Sequence, residues 1–149
     1  MLSGGRPDHL PLMPITMMFA ARHAGVKYCA YARDHRVMAE AQMRTAETYG
    51  FDYVSAISDP AREASDLGAT IEWFEDQPPA IVESSALLAE KSRLAKLAVP
   101  DPAVASRMRD RVEGVRLLRE KAGNDLLVEG WVERLVEARW RADGGPGRC

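Results

Sequence analysis

A chain of 149 residues that is 46% hydrophobic and 28% charged is the size of one domain with material for a core, which argues against a disordered protein. A net charge of -2 also argues against a nucleic-acid binder, because the basic residues from Arg107 to Lys121 are interleaved with Asp110, Glu113 and Glu120 instead of forming one basic face. The two cysteines, Cys29 and the final Cys149, form neither a disulfide framework nor a metal knuckle, and a reducing cytoplasm is the expected setting.

From the amino terminus, Leu10 to Ala21 (LPLMPITMMFAA) has the length of a signal-peptide core. Pro11 and Pro14 interrupt it, however, Asp8 precedes it, and Arg6 is the one early positive charge. The better reading is a buried strand over about Leu12 to Met17 that runs into a loop. No run approaches the roughly 20 apolar residues of a membrane span. Asp34 then opens a helix in which Val37, Met38, Ala41, Thr45 and Tyr49 recur at helical spacing, with Gly50 as its stop.

Tyr53, Val54, Ala56 and Ile57 form a short β-prone run. Ser58-Asp59-Pro60 ends it and offers a cap with proline at the first position of a short helix, Ala61 to Leu67. Ala69 to Phe74 and Ala80 to Glu83 flank the turn-like Glu75-Asp76-Gln77-Pro78-Pro79 and predict a β-excursion. Trp73 and Phe74 read as packing residues. Ser85 to Ala98 reads as a helix with Leu87, Leu88, Leu94 and Leu97 inside, broken at Pro100 and Pro102. A longer helix carries the stripe Val104, Met108, Val112, Val115 and Leu118 and ends at Gly123-Asn124. Leu126-Leu127-Val128 is a third strand, leading into Gly130-Trp131.

Three strand and helix units of one polarity predict right-handed crossovers and a parallel sheet in an α/β fold. A closed eight-stranded barrel typically takes about 250 residues. The sheet is therefore either open and complete, or the beginning of a larger barrel. Asp59 falls at the carboxyl end of the second strand, the edge that faces ligands in parallel α/β proteins. The competing reading of Asp59 is a helix cap worth about 1 kcal/mol. His23 is either a loop proton donor or a surface residue. Tyr28 and Tyr31 either line a pocket mouth or pack beneath the loop, and Glu129 and Glu133 flank Trp131.

The stretch Pro11 to Tyr31 with ARHAGVKY, then FDYVSAISDPAREASDLGATIEWFEDQPPAI, then LLVEGWVE, resembles the amino-terminal part of the uroporphyrinogen decarboxylase family. The wider superfamily includes methylcobamide:thiol methyltransferases. The resemblance spans about Pro11 to Glu133, so residues 1-133 are read as a partial domain and 134-149 as a divergent arginine-rich tail. It implies a (βα)8 TIM barrel, of which this chain supplies about three βα units with the β-excursion after the second strand.

The resemblance further implies that Asp59 is the catalytic aspartate that contacts pyrrole nitrogens and that Arg22 binds substrate carboxylates, both facing one cleft. Lys27 falls where the decarboxylases usually carry a second arginine and is taken as substrate-binding, although lysine offers a point charge instead of a planar fork. The implied ligand is a tetrapyrrole or a corrinoid-linked small molecule. Zinc is expected only in full-length methyltransferase-like relatives, through a late His-x-Cys and a further cysteine that this chain lacks, so the chain is expected to hold no cofactor. The resemblance stops at Glu133, and a truncated chain, inactive alone, is the expectation. Exposed sheet edges would then favour a homodimer. The alternative is a non-catalytic α/β binding or assembly module that completes its sheet with a partner chain.

Overall fold

The computed structural model describes residues 8–133. Among these residues the helices are α1 (Met17–His23), α2 (Tyr28–Arg33), α3 (His35–Tyr49), α4 (Arg62–Asp66) and α5 (Ser106–Ala122). The strands are β1 (Tyr53–Ser55), β2 (Ile71–Glu72), β3 (Ala80–Ile81) and β4 (Leu127–Glu129). None of these helices is long and apolar enough to cross a membrane.

The boundaries of α3 follow from capping chemistry. The Asp34 carboxylate accepts the Arg36 backbone N–H at the start, and Gly50 closes the helix at φ +66°, a left-handed turn that glycine adopts without a Cβ penalty. The buried face carries Met38, Ala39, Ala41, Gln42, Thr45 and Ala46, whereas Tyr49 is exposed. This face packs on α5, and Gly114 permits the close approach: a Cβ there would lie 2.6 Å from Met38 Cε. Ala20, Tyr28, Tyr31, Met38, Val54 and Leu118 belong to the same core cluster.

β1 and β4 pair in parallel, with Tyr53 opposite Leu127, Val54 opposite Val128 and Ser55 opposite Glu129. The chain between them passes through α4, the antiparallel β2–β3 hairpin and α5. Because the strands are parallel, α5 returns the chain, which puts its first turn at the carboxyl end of β1. The hairpin is the expected β-excursion.

Three expectations need correction. The strand over Leu12 to Met17 does not form: residues 9–16 are irregular and α1 begins at Met17. Pro11 and Pro14 bring no backbone N–H to a ladder. The segment is instead tied beside β1 by single contacts, with Asp52 N–H donating to Leu12 O (3.1 Å), Leu12 N–H donating to the Asp52 carboxylate (2.7 Å) and the Tyr53 hydroxyl donating to Pro14 O. The parallel sheet therefore has two strands among the described residues, not three. Secondly, Ser85 to Ala98 is not an α-helix but lies among 3₁₀ turns at Glu83–Ser85 and Lys91–Lys96. Leu94 is 56% exposed there, and a segment of this length with no face buried is marginal as a helix in water. Thirdly, α5 starts at Ser106 with Val104 and Val112 exposed, and its buried residues are Arg111, Gly114, Leu118 and Ala122. The proposed tail 134–149 lies outside the described residues.

Candidate functional site

The carboxyl end of β1 is the most thoroughly enclosed polar region of the fold. Every residue from Tyr53 to Asp59 is buried, so the carbonyls beyond the ladder need partners from side chains. α2 supplies them. The Tyr31 hydroxyl donates to Ile57 O at 3.0 Å and the Tyr28 hydroxyl to Ser58 O, while Gln42 Nε2 donates to the Tyr31 oxygen at 2.7 Å. The two rings stack with centroids 5.5 Å apart. Burial pushes the Tyr28 phenol up and that of Tyr31 to about 12, so both remain protonated donors at neutral pH. Of the two sequence readings for these tyrosines, packing is the observed one.

Asp59 follows at once, with a side chain that is 0% exposed. Its oxygens accept the Ser58 hydroxyl at 2.7 Å and the Ala61 backbone N–H at 3.1 Å. They also receive both terminal nitrogens of Arg107, at 3.1 and 2.7 Å. The contact to Ala61 braces the turn before α4 and is not the helix cap read from the sequence, because α4 begins at Arg62 with Ala61 as its N-cap and Pro60 lies in the turn. The bidentate arginine is an additional, charge-assisted role. Arg107 reaches Asp59 because the first turn of α5 is fixed in place: Ala105 caps nothing, and Asp66 at the end of α4 accepts the N–H groups of Arg107 (3.0 Å) and Met108 (2.7 Å).

Beside this pair lies a cleft of about 520 Å³, with Arg33, Ser65, Asp66, Trp73, Arg107 and Asp110 on its walls. The guanidinium carbons of Arg33 and Arg107 sit 3.9 and 4.8 Å from the centre of the Trp73 ring.

The sequence matches the family model described as uroporphyrinogen decarboxylase (URO-D) over residues 1–133. The chain belongs to the uroporphyrinogen decarboxylase family. Its structure is similar to that of a methyltransferase from Methanosarcina mazei, with a TM-score of 0.77 at 18% identity, over 95% of this chain and 42% of that chain. This is a likeness of fold, mixed α/β, and the chain spans less than half the length of that relative. No curated protein matches the sequence.

Within this family frame, neither Arg22 nor Lys27 is a direct partner of Asp59. Arg22 is exposed on the last turn of α1, and no hydrogen bond or ion pair among the described residues joins either residue to Asp59. Lys27 instead contacts the hairpin turn, pairing with Asp76 at 2.7 Å and Glu75 at 3.6 Å. The Asp76 contact raises the Lys27 pKa, and Lys27 in turn holds the Asp76 carboxyl below its usual range. His23 shares a hydrogen bond with Thr48 Oγ1 at 3.1 Å.

Asp34, His35 and Asp110 bring three ligand-type atoms within 4.8 Å of one another. All three side chains already have protein partners. Arg36 takes both oxygens of Asp34, and Asp110 accepts from the His35 backbone and from Arg111 while sharing a further contact with His35 Nδ1. The set lacks the thiolates of the zinc site expected in the methyltransferase-like branch.

Sequence reasoning missed Arg107, Asp66, Arg33 and the buried pair Arg62–Glu63. Arg62 Nη2 donates to Glu63 Oε1 at 2.8 Å and to Trp131 O at 2.7 Å, fastening the segment that follows β4. Arg62 could have been suspected from its place directly after the Asp-Pro turn. Arg107 carried no local signal, since it reads as one of many charges on an amphipathic helix.

Proposed function

We propose that this chain is the amino-terminal part of a (βα)8 barrel that carries out tetrapyrrole or corrinoid-linked chemistry, either decarboxylation of uroporphyrinogen or methyl transfer. The observation that carries this is a family match over residues 1–133 combined with a buried carboxylate at the ligand-facing end of a parallel strand. Asp59 is the proposed catalytic group, accepting pyrrole N–H donors and stabilising positive charge that develops on a protonated ring. Both of its oxygens are now held by donors, so a ligand reaches Asp59 by replacing the Arg107 guanidinium, the one partner that also borders the cleft. Arg22 and Lys27, exposed and cationic, are proposed to meet substrate carboxylates at the rim. No cofactor is proposed within this chain, and cytoplasmic location remains the expectation from its cysteines.

Barrel pockets draw groups from the ends of several strands, so the chain alone should not turn over uroporphyrinogen or transfer a methyl group from methylcobamide to a thiol. Fused in frame to the remaining strands of a family member, it should gain turnover that Asp59→Asn lowers at least about 100-fold. Turnover by the chain alone would overturn the partial-barrel reading. A fusion that is active but indifferent to Asp59→Asn would overturn the role of Asp59.

A second reading has its own support. β4 pairs only with β1 among the described residues, Leu127 on it is 43% exposed and Val132 beyond it is 80% exposed. A free, apolar edge in a parallel sheet suits pairing with another chain, either a homodimer or a separate partner that completes the sheet. Sedimentation over a range of concentrations separates the two readings: a concentration-dependent dimer favours assembly, and a monodisperse monomer opposes it.

A further inference from the structure

We infer that the cleft beside Trp73 is a binding site for a small molecule carrying a carboxylate or phosphate group, with Arg33 as its anion-recognising residue. The carboxylates on the cleft walls, and one of its two arginines, are already engaged by protein partners. Both oxygens of Asp66 accept backbone N–H groups at the start of α5. Both oxygens of Asp110 are engaged by His35 and Arg111, and Arg107 is held bidentately by Asp59. Arg33 alone among the charged groups lining the cleft has no hydrogen bond and no ion pair within the described residues.

Its guanidinium is nevertheless positioned, 3.9 Å from the centre of the Trp73 ring, which orients the planar fork without using its N–H donors. Ser65 and Ser106 add hydroxyls to the same walls, and neither side chain has a hydrogen-bond partner among the described residues. A volume of about 520 Å³ falls within the range of roughly 300–1,000 Å³ that small-molecule sites occupy. A pre-oriented free cation with neutral donors around it favours an oxyanion. A cationic ligand would find both carboxylates already committed.

This binding requires no turnover, so it stands or falls separately from the decarboxylase or methyltransferase chemistry. The test is calorimetric titration of the full chain at low ionic strength with inorganic phosphate and, separately, with benzoate. One saturable site is expected for at least one of the two, and the stronger binder identifies the anion class. Arg33→Gln should weaken it at least tenfold, and Arg33→Lys should keep part of the affinity, with circular dichroism unchanged in each because Arg33 is exposed. Arg116→Gln, which removes an exposed cation on α5 outside the cleft, should leave binding unchanged. Absence of saturable binding to either probe, equal affinity in Arg33→Gln, or an equal loss in Arg116→Gln would each overturn the assignment.

Discussion

Asp59–Arg107 and Lys27–Asp76 are both acid–base contacts with a closest approach of 2.7 Å, yet they sit in opposite environments. The side chains of the first pair are 0% and 12% exposed, and those of the second are 53% and 56% exposed. The same Coulomb attraction is several times stronger where water is excluded, and an unpaired charge there is correspondingly costly. Enclosure therefore raises the cost of separating Asp59 from Arg107 without a replacement donor, while Lys27 can exchange its partner at little cost. Residues marked out by one resemblance can thus differ in what their removal does to the fold.

The largest expected effect comes from breaking the enclosed pair. Asp59→Ala leaves the Arg107 guanidinium, the Ser58 hydroxyl and the Ala61 N–H without their acceptor, and should cost about 3–5 kcal/mol in urea unfolding. A smaller loss is expected from the neutral part of the same corner. Tyr31→Phe strips a donor from Ile57 O and an acceptor from Gln42, and should cost about 1–3 kcal/mol without changing the unfolding m-value.

At the exposed contact, Lys27→Ala should leave the urea unfolding midpoint nearly unchanged, with any difference smaller still at high salt. A loss there as large as that of Asp59→Ala would erase the distinction between the two regions. The smallest effect is a pH dependence at the other end of β1. The neighbouring Asp8 and Asp52 carboxylates raise the His9 pKa above its ordinary value. The raised folded-state value means that the His9 contribution is fully present below the unfolded pKa, about 6.5, and is lost as pH rises through the folded value. Proton NMR of the His9 ring should show that upward displacement, and Asp52→Asn should reduce it.

Much of this fold was legible because the signals were local. Asp34 and Gly50 bracket a helix by capping and left-handed backbone, a strand forms at Tyr53–Ser55 within the β-prone run ahead of Ser58-Asp59-Pro60, and the Pro78-Pro79 turn lies between two hairpin strands. Local signals misled where tertiary partners decide the outcome. The apolar run after Pro11 has strand composition but contributes single contacts to β1, and the leucines of 85–98 have helical spacing with no surface to pack on. The site divides in the same way. Asp59 could be read from its place at a strand end, but Arg107 lies 48 residues away and reaches it only because β1 and β4 run parallel. Arg33 and Trp73 likewise become neighbours only when α2 meets the hairpin.

The most direct test of the enclosed corner is a double-mutant cycle on Asp59→Ala and Arg107→Ala, read by urea unfolding. If the two side chains form one buried unit, the double variant should be no less stable than the worse single variant, giving a coupling of about 2 kcal/mol or more. Single-variant losses that add to within about 0.5 kcal/mol would mean that Asp59 and Arg107 act independently, and would contradict the account of this corner.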